Sequence, residues 1–496
     1  MLRRLFWIAL AVLGLLVLAV AVNTLRHGSR QLDVPPAPPL AVDENAAAAR
    51  LSEAIRARTV SSLEDATQNA DQFQQLHALL QAHYPKAHAV MQREVVGGLS
   101  LLYTWKGSDP TLAPILLMAH QDVVPIAPGT EGDWAVQPFA GTLKDGFVWG
   151  RGAWDDKANL IAQMETMELL AASGFAPKRT IHLAFGADEE VSGERGAKRI
   201  AALLKSRGER LDFVIDEGLL ITEGVMPGLD KPAALVGIAE KGYLSVVMTV
   251  SATPGHSSMP PPKGQSAIAM MSAAMKRLDD KQLPGGIRGV AREMFETIAP
   301  EMGGFSRVAL SNLWLFGPVV QAQLEAKAST NAMLRTTTAL TMAHAGNKDN
   351  VLPGRAEGTV NFRLLPGDSA SAVMGHVHDE AKAVMGDARF ELVALPGGSE
   401  ASKVSPTQSA SYQLINRTVR EVFPGTLVAP GLMIGATDSR HFEGVSDHIY
   451  RFSPVRAKPE DLPRFHGTNE RISAANLAEL IRFYHRLVSQ AAGPGA

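Results

Sequence analysis

The chain has 496 residues, of which 48 are Lys or Arg, 50 are Asp or Glu and none is Cys. At roughly 150 residues per domain, this length predicts two large units or about three smaller ones. A composition that is 46% hydrophobic and 20% charged indicates a globular fold and excludes disorder for most of the chain. The net charge of −2 provides no field to hold a polyanion, so we expect no nucleic-acid partner. Without cysteine, a metal site must use His, Asp and Glu.

An uncharged apolar run at residues 5–22 follows two arginines. A helix over this run would extend about 27 Å, close to the thickness of the hydrocarbon core of a bilayer. The preceding positive charge predicts a membrane anchor, assigned to residues 1–30, with the catalytic body exported, into the periplasm if the source is a bacterium. A signal peptide that is cleaved after Ala21, leaving a secreted protein, is the alternative, because an A-x-A pattern ends there. Residues 31–46 are rich in proline and predict a stiff linker between membrane and enzyme.

Beyond the linker, short apolar runs at residues 115–119, 180–185 and 213–215 alternate with helix-like patterns, including an amphipathic helix at residues 157–173. Such runs are typical of strands buried on both faces of a mostly parallel sheet, which predicts an α/β sandwich. After residue 242 the pattern changes to period-2 strands with helices between them, which predicts an inserted α+β module. The predicted division is a catalytic domain in two parts, 47–242 and 397–490, around an inserted domain, 243–396.

Acidic and histidine residues collect where the predicted strands end. Because neighbouring parallel strands place their carboxyl ends side by side, we expect these groups to meet at one crevice. Each cluster alone is also compatible with a solvated turn or a helix cap, but packed carboxylates repel one another unless a cation compensates them. Imidazole and carboxylate ligands suit Zn²⁺, Mn²⁺ or Co²⁺, so the sequence predicts a divalent metal site. Its candidate residues are His120, Asp122, Asp155, Asp156, Asp188, Glu189, Glu190, Asp216 and Glu217.

The spacing within these clusters suggests roles for some members. Asp122, two residues after His120, can orient its imidazole and raise its basicity. Glu189 and Glu190 point in different directions at a strand end, so one can bind metal while the other acts as general base. A carboxylate shared by two ions about 3.5–4 Å apart would let both activate one water molecule.

Four stretches are specific in their order and spacing: His120 to Asp122, Gly150 to Lys157, Asp188 to Glu190, and Pro254 to Ser258. Together they resemble the M20 metallopeptidase family, and above all its carboxypeptidase S-like branch, which includes aminoacylase-like and N-fatty-acyl-amino-acid hydrolase/synthase enzymes. The resemblance covers residues 47–490. It implies a zinc-exopeptidase-like sandwich, with helices on both faces of a mostly parallel sheet, and an inserted domain that serves as a lid and dimerisation module.

The resemblance also implies two zinc ions per subunit, with Co²⁺ or Mn²⁺ as substitutes. It assigns Glu189 as the general base, and it implies a cis peptide bond between Asp155 and Asp156. For the ligand on the third strand we expect Asp216, with Glu217 as the alternative. The implied metal ligands are His120, Asp155 as the bridge, Glu190, Asp216 and His466, with Asp122 as a catalytic residue beside His120.

Four further residues resemble substrate-contacting positions of the family. His256 is similar to a histidine that stabilises the oxyanion, often from a partner subunit, which implies a homodimer through the inserted domain. An ordinary turn histidine is the alternative. Asn350 and Arg363 are candidates for holding polar groups of the substrate, although Arg363 equally suits a plain salt bridge. Arg440 offers bidentate geometry to a free α-carboxylate.

We therefore predict a di-zinc metallohydrolase that cleaves the amide bond of peptides or N-acyl amino acids with a free carboxylate. An N-fatty-acyl-amino-acid hydrolase/synthase and a dipeptidase share the same catalytic residues and stay open as alternatives. A metal-stabilised binding module without activity is the alternative from another class, and the intact Glu189 argues against it.

Overall fold

A computed structural model describes residues 1–386 and 390–495. Its strands are β1 (Gln92–Val96), β2 (Ser100–Trp105), β3 (Ile115–His120), β4 (Thr142–Lys144), β5 (Phe147–Trp149), β6 (Ile181–Gly186), β7 (Phe213–Thr222), β8 (Ala233–Glu240), β9 (Gly242–Ser251), β10 (Gly255–His256), β11 (Thr337–Ala345), β12 (Val351–Leu352), β13 (Arg355–Leu364), β14 (Phe390–Ala394), β15 (Leu427–Met433), β16 (Ile449–Ala457) and β17 (Arg471–Ser473). Its helices are α1 (Leu2–Arg26), α2 (Glu44–Arg56), α3 (Ala70–His83), α4 (Pro85–Val90), α5 (Lys157–Ala172), α6 (Ala197–Ser206), α7 (Ala267–Asp280), α8 (Gly289–Ile298), α9 (Gly304–Ser311), α10 (Leu313–Glu325), α11 (Ala328–Leu334), α12 (Ala370–Met385), α13 (Ala410–Val422) and α14 (Ala474–Ala492).

The central sheet has eight strands in the order β1-β2-β6-β3-β7-β16-β8-β15. The pairs β6–β3, β3–β7, β7–β16 and β8–β15 are parallel, whereas β1–β2, β2–β6 and β16–β8 are antiparallel. Every side chain of β3 and β6 is buried, as expected for strands with helices on both faces. The prediction of an α/β fold with a mostly parallel sheet is therefore confirmed.

Alternate residues of β3 belong to the hydrophobic cores on the two sides of this sheet. Ile115 and Leu117 pack into a core shared with α2, α5, α13 and α14. Leu116 and Met118 pack against α6 and a 3₁₀ turn, Asp438–Gly444. The sheet thus holds the ends of β3 and β6 side by side between two layers.

The helix predicted at residues 157–173 is present as α5, but it is not amphipathic, because the sheet, α2, α4 and α14 enclose it. Its buried polar side chains find partners inside the protein. Asn159 donates to Ser453 Oγ at 2.7 Å, and Gln163 donates to the carbonyl oxygen of Met118 at 2.7 Å. Such internal hydrogen bonds let a polar sequence pattern occur on a fully buried helix.

The inserted region forms a second, antiparallel sheet in the order β11-β13-β9-β14. Helices α7 and α12 pack on one of its faces. Strands β10 and β12 form a short separate ribbon. Helices α8 to α11 lie between α7 and β11 in the chain, and α8 packs against β15, an edge strand of the central sheet.

Helix α1 exposes all 25 of its residues in part or fully, and its length and composition would let it cross a membrane or serve as a signal sequence. The segment after it lies on the body. The Gln31 side chain donates to the carbonyl oxygen of Val428 at 2.9 Å and accepts from its N–H at 2.7 Å. Farther on, the Ala37 N–H donates to the carbonyl oxygen of Glu421 at 2.8 Å. The proline-rich segment is thus docked along α13 and β15 rather than standing free as a spacer.

Candidate metal centre

Asp155 lies between two imidazoles, one from the chain before the inserted region and one from the chain after it. Oδ1 of Asp155 is 2.9 Å from Nε2 of His120, the last residue of β3. Oδ2 of Asp155 is 2.7 Å from Nε2 of His466, which follows β16. Each carboxylate oxygen therefore faces a different histidine, which is the arrangement that a carboxylate bridging two cations requires.

Glu190 joins this group from the 3₁₀ turn after β6. Its Oε2 lies 3.4 Å from Nε2 of His466. Its Oε1 is buried and has no hydrogen-bond partner among the described residues. One ligand atom each of His120, Asp155 and Glu190 lie within 4.8 Å of one another. Ligands about 2.0–2.2 Å from a zinc ion lie roughly 3–3.5 Å apart, so this donor set and the unpartnered oxygen fit a divalent metal.

Asp122 positions both sides of the cluster. Its carboxylate accepts the N–H groups of Glu189 and Glu190 at 3.2 and 3.1 Å, and the hydroxyl of Ser61 at 2.7 Å. Its backbone carbonyl oxygen lies 2.9 Å from Nδ1 of His120, closer than its carboxylate oxygen at 3.4 Å. The Nδ1–H of His120 is thereby fixed, and Nε2 is presented to Asp155.

The acids of the third strand lie inside β7, so the prediction that this strand ends at residue 215 is wrong. The ladder between β7 and β16 is interrupted after Asp216 and resumes at Leu219. Gly218 between them has a φ of 144°, a conformation that side-chain-bearing residues rarely adopt. The strand can therefore bend at its acidic residues and continue.

Asp216 and Glu217 are both buried on β7. Asp216 accepts the N–H groups of Glu217 at 2.9 Å and Ser439 at 2.8 Å, and burial raises the pKa of Asp216 to about 6. Burial, followed by the charges of Asp155 and Asp156, raises the pKa of Glu217 well above its usual value. The charge of His120 acts on both acids, and the choice between them as ligand stays open.

Glu470 is the residue whose role sequence reasoning missed. Its Oε1 accepts the N–H groups of Trp154 at 2.8 Å and Asp155 at 3.0 Å, and its Oε2 pairs with Arg151 at 2.7 Å. Arg151 also donates to the carbonyl oxygen of His466 at 3.0 Å. This buried pair therefore joins the loop carrying His466 to the turn carrying Asp155. The available signal was Arg151 in the Gly150–Lys157 stretch and an acid, Glu470, four residues after His466. The Asp155–Asp156 peptide bond is cis, as the family resemblance implies.

The pKa directions in the site reflect its excess of negative charge. Burial raises the pKa of Glu189 well above its usual value, and the charges of Asp438, Glu217 and Glu190 raise it further. Burial lowers the pKa of His466, but hydrogen bonds to Asp155 and Glu190 outweigh this effect and raise the pKa to about 10. Such groups of acids favour a cation among them.

Two arginines, Arg440 and Arg363, interact electrostatically with each other. Nη2 of Arg440 donates to the carbonyl oxygen of Ser192 at 2.8 Å, beside the turn that carries Glu189. The guanidinium of Arg363, on β13, lies 4.9 Å from the ring centre of Tyr243. Burial, together with the charge of Arg440, lowers the pKa of Arg363. Neither guanidinium forms an ion pair within the part of the chain that the structure describes.

The loop carrying Arg440 is held by two buried acids. Glu240 accepts from the N–H and the hydroxyl of Thr437 at 3.1 and 2.9 Å, and it pairs with Arg451 at 2.8 Å. One residue before Arg440, the Ser439 N–H donates to Asp216. The guanidinium of Arg440 is thus fixed relative to the metal centre.

His256 and Asn350 are not brought to the cluster within one chain. His256 is exposed on β10, with its Nδ1 2.9 Å from the hydroxyl of Ser258. Asn350 precedes β12, and its carbonyl oxygen accepts the N–H of Ser257 at 3.1 Å. Over residues 1–386 and 390–495, neither side chain hydrogen-bonds to the predicted metal ligands.

Imidazoles and carboxylates gathered at the carboxyl ends of the strands of an α/β sandwich form a site that suits a metal-dependent hydrolase. A family model, Peptidase family M20/M25/M40, matches residues 116–490, and the chain belongs to this family. It is an enzyme of that class, as the motif resemblance implies.

Known proteins agree with this assignment. The chain is 42% identical over 442 residues to the N-fatty-acyl-amino acid synthase/hydrolase PM20D1 of Xenopus tropicalis, covering 88% of this chain and 84% of the relative. It is 37% identical over 486 residues to the probable carboxypeptidase S-like 2 of Dictyostelium discoideum, covering 96% and 92%. The solved M20 family metallo-carboxypeptidase Sso-CP2 from Sulfolobus solfataricus matches 91% of this chain and 99% of its own, with a TM-score of 0.64 at 15% identity, and so shares the fold.

Proposed function

We propose that the protein hydrolyses the amide bond of N-acyl amino acids or peptides with a free carboxylate, using two zinc ions held by its own side chains. The observation that carries this proposal is Asp155, whose two oxygens lie 2.9 and 2.7 Å from the Nε2 atoms of His120 and His466. The proposed ligands are His120 and Asp216 on one side of Asp155, with Glu217 as the alternative to Asp216, and Glu190 and His466 on the other.

Glu189 is the proposed general base. Its backbone N–H is fixed on Asp122, while its neighbour Glu190 faces His466. Zinc bound at this centre would polarise the amide carbonyl and lower the pKa of water. The Glu189 carboxylate then takes a proton from the attacking water and delivers it to the leaving nitrogen.

Arg440 and Arg363 are the proposed partners of the substrate carboxylate. Both guanidiniums are half-buried, and the charge of Arg440 helps to lower the pKa of Arg363, so the two repel each other unless an anion lies between them. A carboxylate there would satisfy both, and Arg440 lies beside the turn carrying Glu189. In an N-acyl amino acid or a C-terminal peptide, the nitrogen of the scissile amide is two bonds from the carboxylate carbon, so the amide would then lie next to the base.

The names of two relatives suggest which acyl group the substrate carries. The name of the Xenopus tropicalis relative specifies N-fatty-acyl amino acids, and that of the Dictyostelium discoideum relative specifies a carboxypeptidase. We propose an N-acyl amino acid as the preferred substrate class, with a long acyl chain as the first alternative to test and a dipeptide as the second.

We further propose that residues 1–30 anchor the protein in a membrane with its body exported, and that residues 31–46 link this anchor to the catalytic domain, 47–242 and 397–490. The inserted domain, 243–396, is proposed to form a homodimer. Strand β11 supports this, since it is an edge strand whose later residues are exposed, and an unpaired edge can pair with a second copy. His256 of that second copy would supply the oxyanion contact, and Asn350 would hold the substrate.

Purified full-length protein supplied with Zn²⁺ or Co²⁺ tests the activity. We expect hydrolysis of N-acyl amino acids of graded chain length, and much weaker hydrolysis of the same compounds with an amidated carboxyl group. Dipeptides in the same assay separate the dipeptidase alternative. Hydrolysis no faster than that of the Glu189→Gln variant across the whole panel would contradict the proposal and leave the binding-module alternative.

A further inference from the structure

Helices α9 and α10 of the inserted region present an exposed apolar surface. Phe305 is 68% exposed, Trp314 60% and Val319 59%. Trp314 and Val319 lie on one face of α10 together with Leu315, Pro318 and Ala322, and this face is exposed. Residues 313–323 contain no charged side chain. Soluble proteins rarely expose an apolar patch of this kind unless another protein or a membrane contacts it.

This surface lies beside the end of α1. Nδ2 of Asn23 donates to the carbonyl oxygen of Ser311 at 2.6 Å, and Nδ2 of Asn312 donates to the hydroxyl of Thr24 at 2.9 Å. The indole N–H of Trp314 donates to Oδ1 of the same Asn312 at 3.2 Å. The apolar run of α1 ends at Val22, so Trp314 is held at the level where that run ends.

The three residues 29–31, which follow α1 closely, are each bonded to the body. Ser29 hydrogen-bonds to Glu301, and Arg30 pairs with Glu296 at 3.2 Å. Gln31 is then fixed on Val428 of β15 by two hydrogen bonds. The body is therefore held against the end of α1, and α9 contacts α1 there.

We propose that α9 and α10 form a second membrane contact, lying in the plane of the bilayer interface next to α1. The proposal rests on the proposed membrane anchor. The uncharged stretch of α10 is about 16 Å long at 1.5 Å per residue, too short to span a bilayer but suited to lie along its surface. A tryptophan whose ring is apolar and whose N–H is hydrogen-bonded is typical of that depth.

The absence of cysteine from the chain makes site-directed spin labelling a direct test. Nitroxide labels are placed singly on the full-length protein at Phe305→Cys and Val319→Cys, reconstituted in phosphatidylcholine and phosphatidylglycerol vesicles. Leu13→Cys in α1 reports the anchor, and Leu143→Cys, on an exposed strand of the catalytic domain and 53% exposed, is the aqueous control. Each label is probed by collision with oxygen, which concentrates in lipid, and with a water-soluble nickel complex.

We expect the labels at 305, 319 and 13 to favour oxygen severalfold over the nickel complex, and the label at 143 to show the reverse. Suppose that the label at 13 lies in lipid, but the labels at 305 and 319 are as accessible to the nickel complex as the label at 143. This result would overturn the inference and leave the proposed anchor intact. A label at 13 in water would instead contradict the anchor itself. Dipolar broadening between labels at 319 would show that a second copy covers the patch, which also overturns it.

A second measurement avoids the labels. Lipids brominated near the headgroup quench tryptophan emission at that depth, and Trp314→Phe should remove a measurable share of this quenching. Equal quenching in the wild type and in Trp314→Phe would contradict the placement of Trp314.

Discussion

Oδ2 of Asp155 lies 2.7 Å from Nε2 of His466, although the inserted region separates the two residues in the chain. The contact is supported by Glu470, which accepts the N–H of Asp155 and pairs with Arg151. The centre therefore exists only when the chain segments before and after the inserted region have folded together. A metal bound there would stabilise that union, since it binds the native state and not the separated segments.

The role of Glu189 is tested by Glu189→Gln, which keeps the shape of the side chain and removes its basicity. We expect kcat to fall by about three orders of magnitude while the zinc content is unchanged, because the residue is proposed as base and not as ligand. Steady-state kinetics and elemental analysis measure the two quantities. Glu194→Gln, an exposed acid paired with Lys198, is the matched control and should stay near wild type. Near-native turnover of Glu189→Gln would remove the residue from the mechanism.

The choice between the two acids of β7 is tested by Asp216→Asn and Glu217→Gln. If Asp216 is the ligand, Asp216→Asn should lose about one zinc per chain and weaken the affinity for the remaining ion. Glu217→Gln should then keep both ions, because only the neighbouring charge changes. Elemental analysis after dialysis against a weak chelator separates the outcomes, and the opposite pattern would assign the ligand to Glu217.

Arg440 and Arg363 are tested by replacing each with Lys, which keeps the charge and removes the planar fork. Hydrogen bonds to charged groups contribute about 1.5–3 kcal/mol, so we expect KM for N-acyl amino acids to rise roughly 10-fold to 100-fold. The same variants should hardly change KM for substrates with an amidated carboxyl group. A uniform loss with both substrate series would show that the arginines support the fold instead.

Zinc binding should release protons. Hydrogen bonds to Asp155 and Glu190 outweigh the effect of burial and raise the pKa of His466 to about 10, so at neutral pH its imidazole holds a proton that a metal must displace. The apparent affinity for zinc should therefore rise as the pH increases towards about 10, by up to tenfold per pH unit for each proton released. Calorimetry in buffers of different ionisation enthalpy counts these protons. His466→Gln should lower the count, and no proton release from the wild type at pH 7 would contradict this account.

Patterns that depend on near neighbours in the chain were predictable. The uniformly apolar runs of β3 and β6 predict buried strands, and the structure has them at Ile115–His120 and Ile181–Gly186. The family motifs predict which residues meet at the carboxyl ends of these strands. These features could be identified because each depends on a local pattern or on a motif with fixed spacing.

What could not be predicted depends on distant partners. Asn159 and Gln163 make α5 look amphipathic, but their amide N–H groups donate to Ser453 and Met118 inside the core. Glu470 accepts the backbone N–H groups of Trp154 and Asp155. Because almost every residue type has such an N–H group, the sequence does not show which residues Glu470 contacts. The docking of the proline-rich segment likewise depends on backbone contacts with the last part of the catalytic domain.

We propose that Asp155 joins two metal ions, one next to each histidine. Anomalous diffraction at the zinc edge, from crystals of the zinc-loaded protein, tests it most directly. We expect two peaks, one within bonding distance of Nε2 of His120 and the other of Nε2 of His466, with a carboxylate oxygen of Asp155 next to each. Asp155→Asn should lose at least one peak, whereas Asp145→Asn, in an exposed turn whose φ of 54° suits Asn, should keep both. A single peak shared by both histidines, or a second peak away from Asp155, would contradict the account.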